Sequence, residues 1–141
     1  MSRTEQRPLL RTEPVAQDKV VVVRGGPDTI DKLRRHAERT ASAWQLDGEP
    51  LYGVSVYCAL DEVGPASLDR ILSDMHSYGT VHLSTIGKVS AGGFEFLATG
   101  ARPHFTVRMT DANLRELEQL LALFGEPSEN EYAKPKRGPR R

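Results

Sequence analysis

The stretch Lys19-Val20-Val21-Val22-Val23-Arg24-Gly25-Gly26 decides the fold. Four consecutive β-branched residues followed by a glycine pair predict a short strand with both faces buried, because a strand with one wet face alternates apolar and polar residues. A strand of this kind has neighbours on both sides. The stretch therefore predicts the central strand of a sheet.

Apolar spacing outward from this strand predicts the remaining elements. Helical spacing runs from Pro27 to about Leu46, and shorter helices are predicted at about 68–78 and 114–124. Further strands are predicted at 51–58, 81–86, 94–97 and 104–109, with a mobile loop over 87–93. The predicted fold class is α+β, with a mixed, mostly antiparallel twisted sheet in the order βαβαβββα. We expect the helices on one face of this sheet and a partly wet opposite face.

The bulk composition predicts one domain. The chain has 141 residues, and 19 Lys and Arg balance 19 Asp and Glu, so its formal net charge is zero. A domain of this size can fold without disulfides. Because the net charge is zero, the protein as a whole does not attract nucleic acid or anionic lipid electrostatically. We expect a single domain over residues 19–126, a disordered tail over 1–18 and a basic disordered tail over 127–141.

The single cysteine and the lack of a long apolar segment indicate the cellular compartment of the protein. Cys58 lies in an apolar run, so we expect a small buried hydrophobe, and a single cysteine forms no internal disulfide. No stretch approaches the roughly 20 apolar residues that span a bilayer, and no signal-peptide core is present at the N-terminus. The sequence predicts a cytoplasmic protein with no membrane partner.

Two His-x-[Ser/Thr] triplets, His82-Leu83-Ser84 and His104-Phe105-Thr106, carry the candidate chemistry. Side chains alternate along a strand, so each triplet places its imidazole and hydroxyl on one face. On neighbouring strands, His82 and His104 would form an acid/base pair for metal-independent cleavage of RNA. The predicted phosphate-binding set around them is Ser84, Thr106, Arg102, Arg108 and Lys88. The other two histidines, His36 and His76, are expected to be solvated.

The segments Val81-His82-Leu83-Ser84 and Pro103-His104-Phe105-Thr106-Val107 resemble the paired strand motifs of the two-histidine phosphoesterases. The resemblance covers about ten residues, and the two triplets are closer together here than in that family. It implies a phosphodiesterase or small endoribonuclease with both histidines at one phosphate.

The sequence Arg24-Gly25-Gly26 predicts a second candidate site. A strand ends there and a helix begins, so free backbone N–H groups and the Arg24 guanidinium would favour an anion. In chain order, Arg24, Ser84-Thr85 and Glu95 also resemble the Arg, Ser-Thr-Ser and Glu constellation of the ADP-ribosyltransferases. That resemblance implies a transferase centred on Arg24, Ser84 and Glu95.

The first functional hypothesis is therefore an RNA- or nucleotide-directed protein, a toxin-like ribonuclease with an antitoxin-like protein partner. The alternative from another class is a non-catalytic protein-protein interaction module, for example a partner subunit of a toxin-antitoxin or regulatory complex. Zero net charge favours the alternative, because ribonucleases gain from a positive field. No metal site and no cofactor are predicted. An imidazole separation beyond about 9 Å would exclude one phosphate shared by His82 and His104.

Overall fold

The computed structural model describes residues 10, 13, 16–24, 29–124 and 126–133. Strands and helices alternate along most of this chain. The strands are β1 (Val20–Arg24), β2 (Gln45–Leu46), β3 (Glu49–Pro50), β4 (Tyr52–Ala59), β5 (Thr80–Thr85), β6 (Glu95–Ala98), β7 (His104–Met109) and β8 (Ser128–Glu129). The helices are α1 (Ile30–Ala43), α2 (Leu68–Asp74), α3 (Ile86–Ala91) and α4 (Leu114–Ala122).

Six of the strands form one sheet in the order β6-β7-β4-β1-β5-β8, and β2 pairs with β3 in a small hairpin. Every neighbouring pair in the large sheet is antiparallel. The valine-rich strand β1 lies between β4 and β5, as the sequence predicts. The α+β class is confirmed.

Helices pack on both faces of the sheet, so the prediction that they share one face was wrong. Helices α1, α3 and α4 bury one cluster with the inward residues of β4 and β7, and we call this side the α1/α4 face. Helix α2 buries a second cluster against β1, β5 and the end of β4, on what we call the α2 face. On the α1/α4 face the cluster includes Val54, Val56, Cys58, Phe105 and Val107. On the α2 face it includes Tyr57, Ala59, Val81 and Leu83.

The strands β1 and β4 separate at one end of the sheet. They pair only from Val20–Ala59 to Val22–Tyr57, although β1 stays paired with β5 as far as Arg24. Where the ladder ends, the amide of Ser55 donates to Nε2 of His36 on α1, at 3.2 Å. The imidazole takes the place of a strand carbonyl. The prediction that His36 is solvated was therefore wrong, because the half-buried ring completes the backbone bonding of β4.

Local differences from the sequence prediction lie in three segments. Residues 86–91 form helix α3 in place of the predicted loop. The domain continues past residue 126, because β8 adds to β5 and Asn130 is buried, so the tail prediction was wrong for 127–133. In the segment predicted as an N-terminal tail, Leu10 bridges Thr99 and the Gly87 amide donates to the Gln17 carbonyl. Residues 1–9, 11, 12, 14, 15 and 134–141 of the predicted tails lie outside the described residues.

Candidate functional site

His82 lies on β5, inside the domain and on the α1/α4 face. Its side chain is 5 % exposed and borders a small cavity of about 10 Å³. The other residues around that cavity are apolar and come from α1, α4 and the sheet: Leu33, Val54, Val56, Val107, Leu120, Leu121 and Phe124. A substrate phosphate would have to displace α1 or α4 to reach this imidazole.

Ser84 shares the environment of His82. It lies two residues further along β5, on the same face, and its side chain is 9 % exposed. Its hydroxyl oxygen is buried and has no hydrogen-bond partner among the described residues. The prediction that His82 and Ser84 lie on the wet face was wrong, because helices cover this part of the sheet.

His104 begins β7 on the opposite face and is half-buried. Its Nδ1 lies 3.0 Å from the carbonyl oxygen of Thr99 and 2.9 Å from the Thr99 hydroxyl. That hydroxyl in turn bonds the hydroxyl of Thr106, at 2.8 Å. In the tautomer with a proton on Nδ1, that nitrogen donates to the Thr99 carbonyl and Nε2 is the basic nitrogen, whereas in the other tautomer Nδ1 accepts from the Thr99 hydroxyl. Tyr57 packs edge-on against the ring, with centroids 5.3 Å apart.

The two histidines cannot share a phosphate. In the sheet register, Val22 lies opposite both Tyr57 and Leu83, and Tyr57 lies opposite His104. His104 is thus on the face of Leu83, and His82, one residue away on β5, is on the other face. Two strands separate β5 from β7, and three strand spacings of about 4.8 Å give about 14 Å within the sheet plane alone. The predicted histidine pair was wrong.

Two of the three cations predicted to hold phosphate at the histidine site are paired with carboxylates. Arg102 donates to both carboxylate oxygens of Asp61, at 2.6 and 3.1 Å, and also to Glu13. These bonds raise the pKa of the guanidinium and hold the pKa of the Asp61 carboxyl below its usual value of 3.8. Arg108 forms an ion pair with Glu95 at 3.5 Å across β6 and β7. Lys88 is exposed on α3.

The transferase constellation is not assembled in one cleft. Ser84 is buried on the α1/α4 face, whereas Glu95 is exposed on the α2 face and pairs with Arg108. Strand β1, which ends at Arg24, is separated from β6 by β4 and β7. Gly25 and Gly26 lie outside the described residues, so the anion-binding prediction for that turn stays a prediction.

One half of the α2 face is not covered by any described helix. We call it the open half-face. It comprises the outward residues of β4, β7 and β6 other than those of β4 that pack in the α2 cluster, and these are Gly53, Ser55, His104, Thr106, Arg108, Glu95 and Leu97. Gly53 is required there, because a Cβ at this position would lie 2.5 Å from Cγ2 of Thr106. Thr106 is 5 % exposed, so its predicted placement on a wet face was wrong, and His104 and Arg108 on the same side of β7 are half-buried.

A groove of about 700 Å³ adjoins the open half-face where β6 begins. Four of its ten lining residues are acidic and one, Arg108, is a cation, while Tyr52, Pro50 and Met109 add apolar surface. The acidic residues are Glu49, Glu95, Asp111 and Glu116. Glu116 accepts the backbone amides of Thr110, Asp111 and Ala112, and these bonds fix the loop that forms one wall.

Sequence reasoning missed several residues that organise this region. Thr99 orients His104, and the signal for it was the Gly100 turn that brings Thr99 back beside β7. Asp61 and Glu13, which bind Arg102, are 41 and 89 residues distant in the chain and gave no signal. In the part of the chain that the structure describes, no three His, Cys, Asp or Glu side chains are grouped to hold a metal ion.

Comparison with known proteins yields no relative. No protein-family model matches this chain, and no match is found among curated proteins or among solved structures. Among the described helices, none is both long and apolar enough to cross a membrane.

Proposed function

We propose that this chain is a protein-protein interaction module in which strand β6 accepts an extended segment of a partner protein. The observation that carries the proposal is the position of β6: it ends the sheet and pairs only with β7 among the described strands. An edge strand presents a row of backbone N–H and C=O groups to an added strand. Over Glu95–Ala98, the described residues supply no strand on the outer side.

The surface next to this edge favours a partner segment with basic side chains. At the start of β6, Glu49 and Asp111 border the groove, while Arg108 is already neutralised by Glu95. Leu97, half-buried on the open half-face, supplies apolar contact beside the edge. A segment that adds to β6 would place alternate side chains over this face and a basic side chain toward the groove.

The test uses a labelled eight-residue peptide of alternating valine and lysine and measures its binding by fluorescence polarisation. We expect saturable binding that Glu49→Gln and Asp111→Asn each weaken roughly two- to fivefold, as exposed ion pairs do. Glu38→Gln and Glu118→Gln, on exposed positions of α1 and α4, are matched controls.

Two further peptides test the strand pairing itself. Each carries N-methyl groups on one of the two alternating sets of amides, which keeps the side chains but blocks backbone donors on one edge. We expect only one of the two to lose binding, because a strand presents alternate amides to its neighbour. Equal binding by all three peptides, or no saturable binding at all, would overturn the proposal.

A second candidate function rests on the orientation of His104. In the tautomer in which Nδ1 donates to the Thr99 carbonyl, Nε2 is the nitrogen suited to take a proton. This favours a one-histidine version of the RNA-directed hypothesis, without His82. Incubation of a mixed RNA pool with excess EDTA tests it. Cleavage that is lost in His104→Gln but kept in His76→Gln, an exposed control, would support it, and intact RNA with the folded natural sequence would exclude it.

A further inference from the structure

The backbone groups on the outer edge of β6 follow from the hydrogen bonds of the sheet. In an antiparallel ladder, opposed residues alternate between pairs that exchange hydrogen bonds and pairs that do not. The Cys58 amide donates to the Pro103 carbonyl at 3.1 Å, and this bond fixes the alternation along β4 and β7. Carried across β7 in the observed register, the alternation leaves Phe96 and Ala98 with their N–H and C=O groups directed outward.

The outer edge stops directly after Ala98, because the next residue, Thr99, is already paired on both sides. On the inner side, its carbonyl oxygen and hydroxyl lie 3.0 and 2.9 Å from Nδ1 of His104 on β7. Leu10 forms an antiparallel bridge with Thr99 and therefore reaches it from the outer side. Leu10 thus occupies the position into which an added strand would continue past Ala98.

Only this end of the edge can lengthen. At the other end, the chain leaves the extended conformation at Gly93, whose φ is 96°. Strand β6 has four residues, so a longer partner segment gains further backbone bonds only past Ala98. There it meets Leu10.

Contacts further along the chain hold Leu10 in place. Arg102, in the turn between β6 and β7, donates through Nε to Glu13 and through its other two nitrogens to Asp61. The carbonyl of Gln17 accepts the amide of the second residue of α3, at 2.8 Å. We call the described residues Leu10, Glu13 and Gln17 the strap. The strap is fastened to the β6–β7 turn and to the start of α3.

The strap can be released at small cost. The Leu10 side chain is 47 % exposed, so it gives up little buried surface when it leaves. Arg102 keeps both carboxylate oxygens of Asp61 when Glu13 departs, so no charge is left buried without a partner.

We propose that the strap regulates strand addition at β6 by competing for the end of its edge. With Leu10 on Thr99, the edge accepts a partner segment over four residues only. When the strap is displaced, the partner pairs past Ala98 and binds more tightly. The strap is thus an autoinhibitory contact within the chain, and this inference rests on the proposed function of β6.

A disulfide that locks the strap tests the competition in the full chain. Residues directly opposed in an antiparallel pair lie about 4.5–5.5 Å apart at Cα, a distance that a disulfide bridges. Leu10→Cys with Thr99→Cys therefore closes the strap when oxidised and frees it when reduced, while Cys58 is fully buried. The labelled peptide of alternating valine and lysine should bind the reduced form about fivefold more tightly, the effect of one added backbone hydrogen bond. Both forms share the substitutions, so the lost Thr99 hydroxyl cancels.

A matched pair of variants tests the strap without cysteines. Glu13→Ala and Asp61→Ala each remove one carboxylate from Arg102, but only Glu13 belongs to the strap. We expect Glu13→Ala to strengthen peptide binding roughly two- to fivefold, up to the effect of one hydrogen bond, and Asp61→Ala to leave it within about 1.5-fold.

The outcomes separate this inference from the function on which it rests. If the peptide binds the oxidised and reduced forms equally, or if Glu13→Ala and Asp61→Ala change binding equally, the strap does not compete and only this inference is wrong. Failure of the disulfide to form would also overturn it. If the peptide binds neither the oxidised nor the reduced form nor the natural sequence, the proposed function is wrong and this inference with it.

Discussion

Removal of the Asn130 side chain tests how the segment after α4 holds the domain together. Asn130 is 3 % exposed, and its Nδ2 donates to the carbonyls of Leu72, Met75 and Tyr78, at 3.1, 3.1 and 3.2 Å. Its Oδ1 accepts the amide of Tyr132. The side chain therefore satisfies carbonyls at the C-terminal end of α2, where a helix leaves its last carbonyls without partners.

The magnitude follows from the number of bonds. The side chain makes four contacts but at most three full hydrogen bonds, because two Nδ2 hydrogens are shared among three carbonyls and Oδ1 accepts one amide. Asn130→Ala therefore removes three hydrogen bonds. At about 1 kcal/mol each, the free energy of unfolding falls by about 3 kcal/mol. For a chain of this size, that loss lowers the melting temperature by about 10 °C.

Urea denaturation followed by circular dichroism measures the loss. Asn113→Ala is the matched control, because Asn113 is exposed and caps α4 through one bond from its Oδ1 to the Glu116 amide, at 2.9 Å. It should lose about 1 kcal/mol. Asn130→Asp keeps the size but sets a carboxylate against three carbonyls, so at neutral pH it should destabilise at least as much as alanine. If Asn130→Ala costs no more than Asn113→Ala, the role assigned to Asn130 is wrong.

Gly53→Ala should lower the free energy of unfolding by about 1–3 kcal/mol, since its Cβ would lie 2.5 Å from Thr106 Cγ2 and 2.9 Å from the Val107 carbonyl oxygen. Gly79→Ala, whose Cβ meets nothing within 4 Å, should change it by less than about 0.5 kcal/mol in the same urea titration. Asp61→Asn should make the free energy of unfolding depend less on pH in the acid range. Arg102 lowers the pKa of Asp61 in the folded state, so this contribution is complete above about pH 4 and is lost as the pH falls through the folded pKa. The urea midpoint is measured across that pH range for the natural sequence and for Asp61→Asn. If the two midpoints fall equally with pH, the role assigned to the Arg102–Asp61 pair is wrong.

Strand β7 shows what the sequence could predict. Phe105, Val107 and Met109 alternate strictly with His104, Thr106 and Arg108, and only the first set packs in the core cluster with the helices, although Thr106 is also buried. Where one face of a strand is packed and the other is less covered, the alternation of residue types records the difference. The position and orientation of β7 were therefore predictable.

Strand β5 shows why the histidine pair was not. Helix α2 covers one of its faces and the helices of the α1/α4 face cover the other, so both columns of side chains are buried. Val81 and Leu83 occupy one column, and His82 and Ser84 the other. A polar residue such as His82 suggests an exposed strand face in the sequence, but the helices bury this side chain in the fold. One sequence does not show which of two nearly equal faces meets a helix.

Helix α3 was missed for a related reason. Gly87, Gly92 and Gly93 are poor helix formers, and they suggest a loop. Ile86 and Val89 are fully buried in the core, however, and the Thr85 hydroxyl accepts the Lys88 amide as an N-cap. Packing of two apolar residues and one capping bond outweigh the low propensity of a six-residue segment.

The distribution of charge separates the functional hypotheses better than the net charge does. Zero net charge is compatible with a basic patch that binds phosphate, yet Arg34, Arg70, Arg102 and Arg108 each bond a carboxylate within the described part of the chain. A phosphate at Arg102 or Arg108 would have to displace Asp61 or Glu95, whereas a basic side chain meets carboxylates at the groove beside β6. At that groove, the charges therefore support the proposed recognition of a cationic peptide over recognition of RNA.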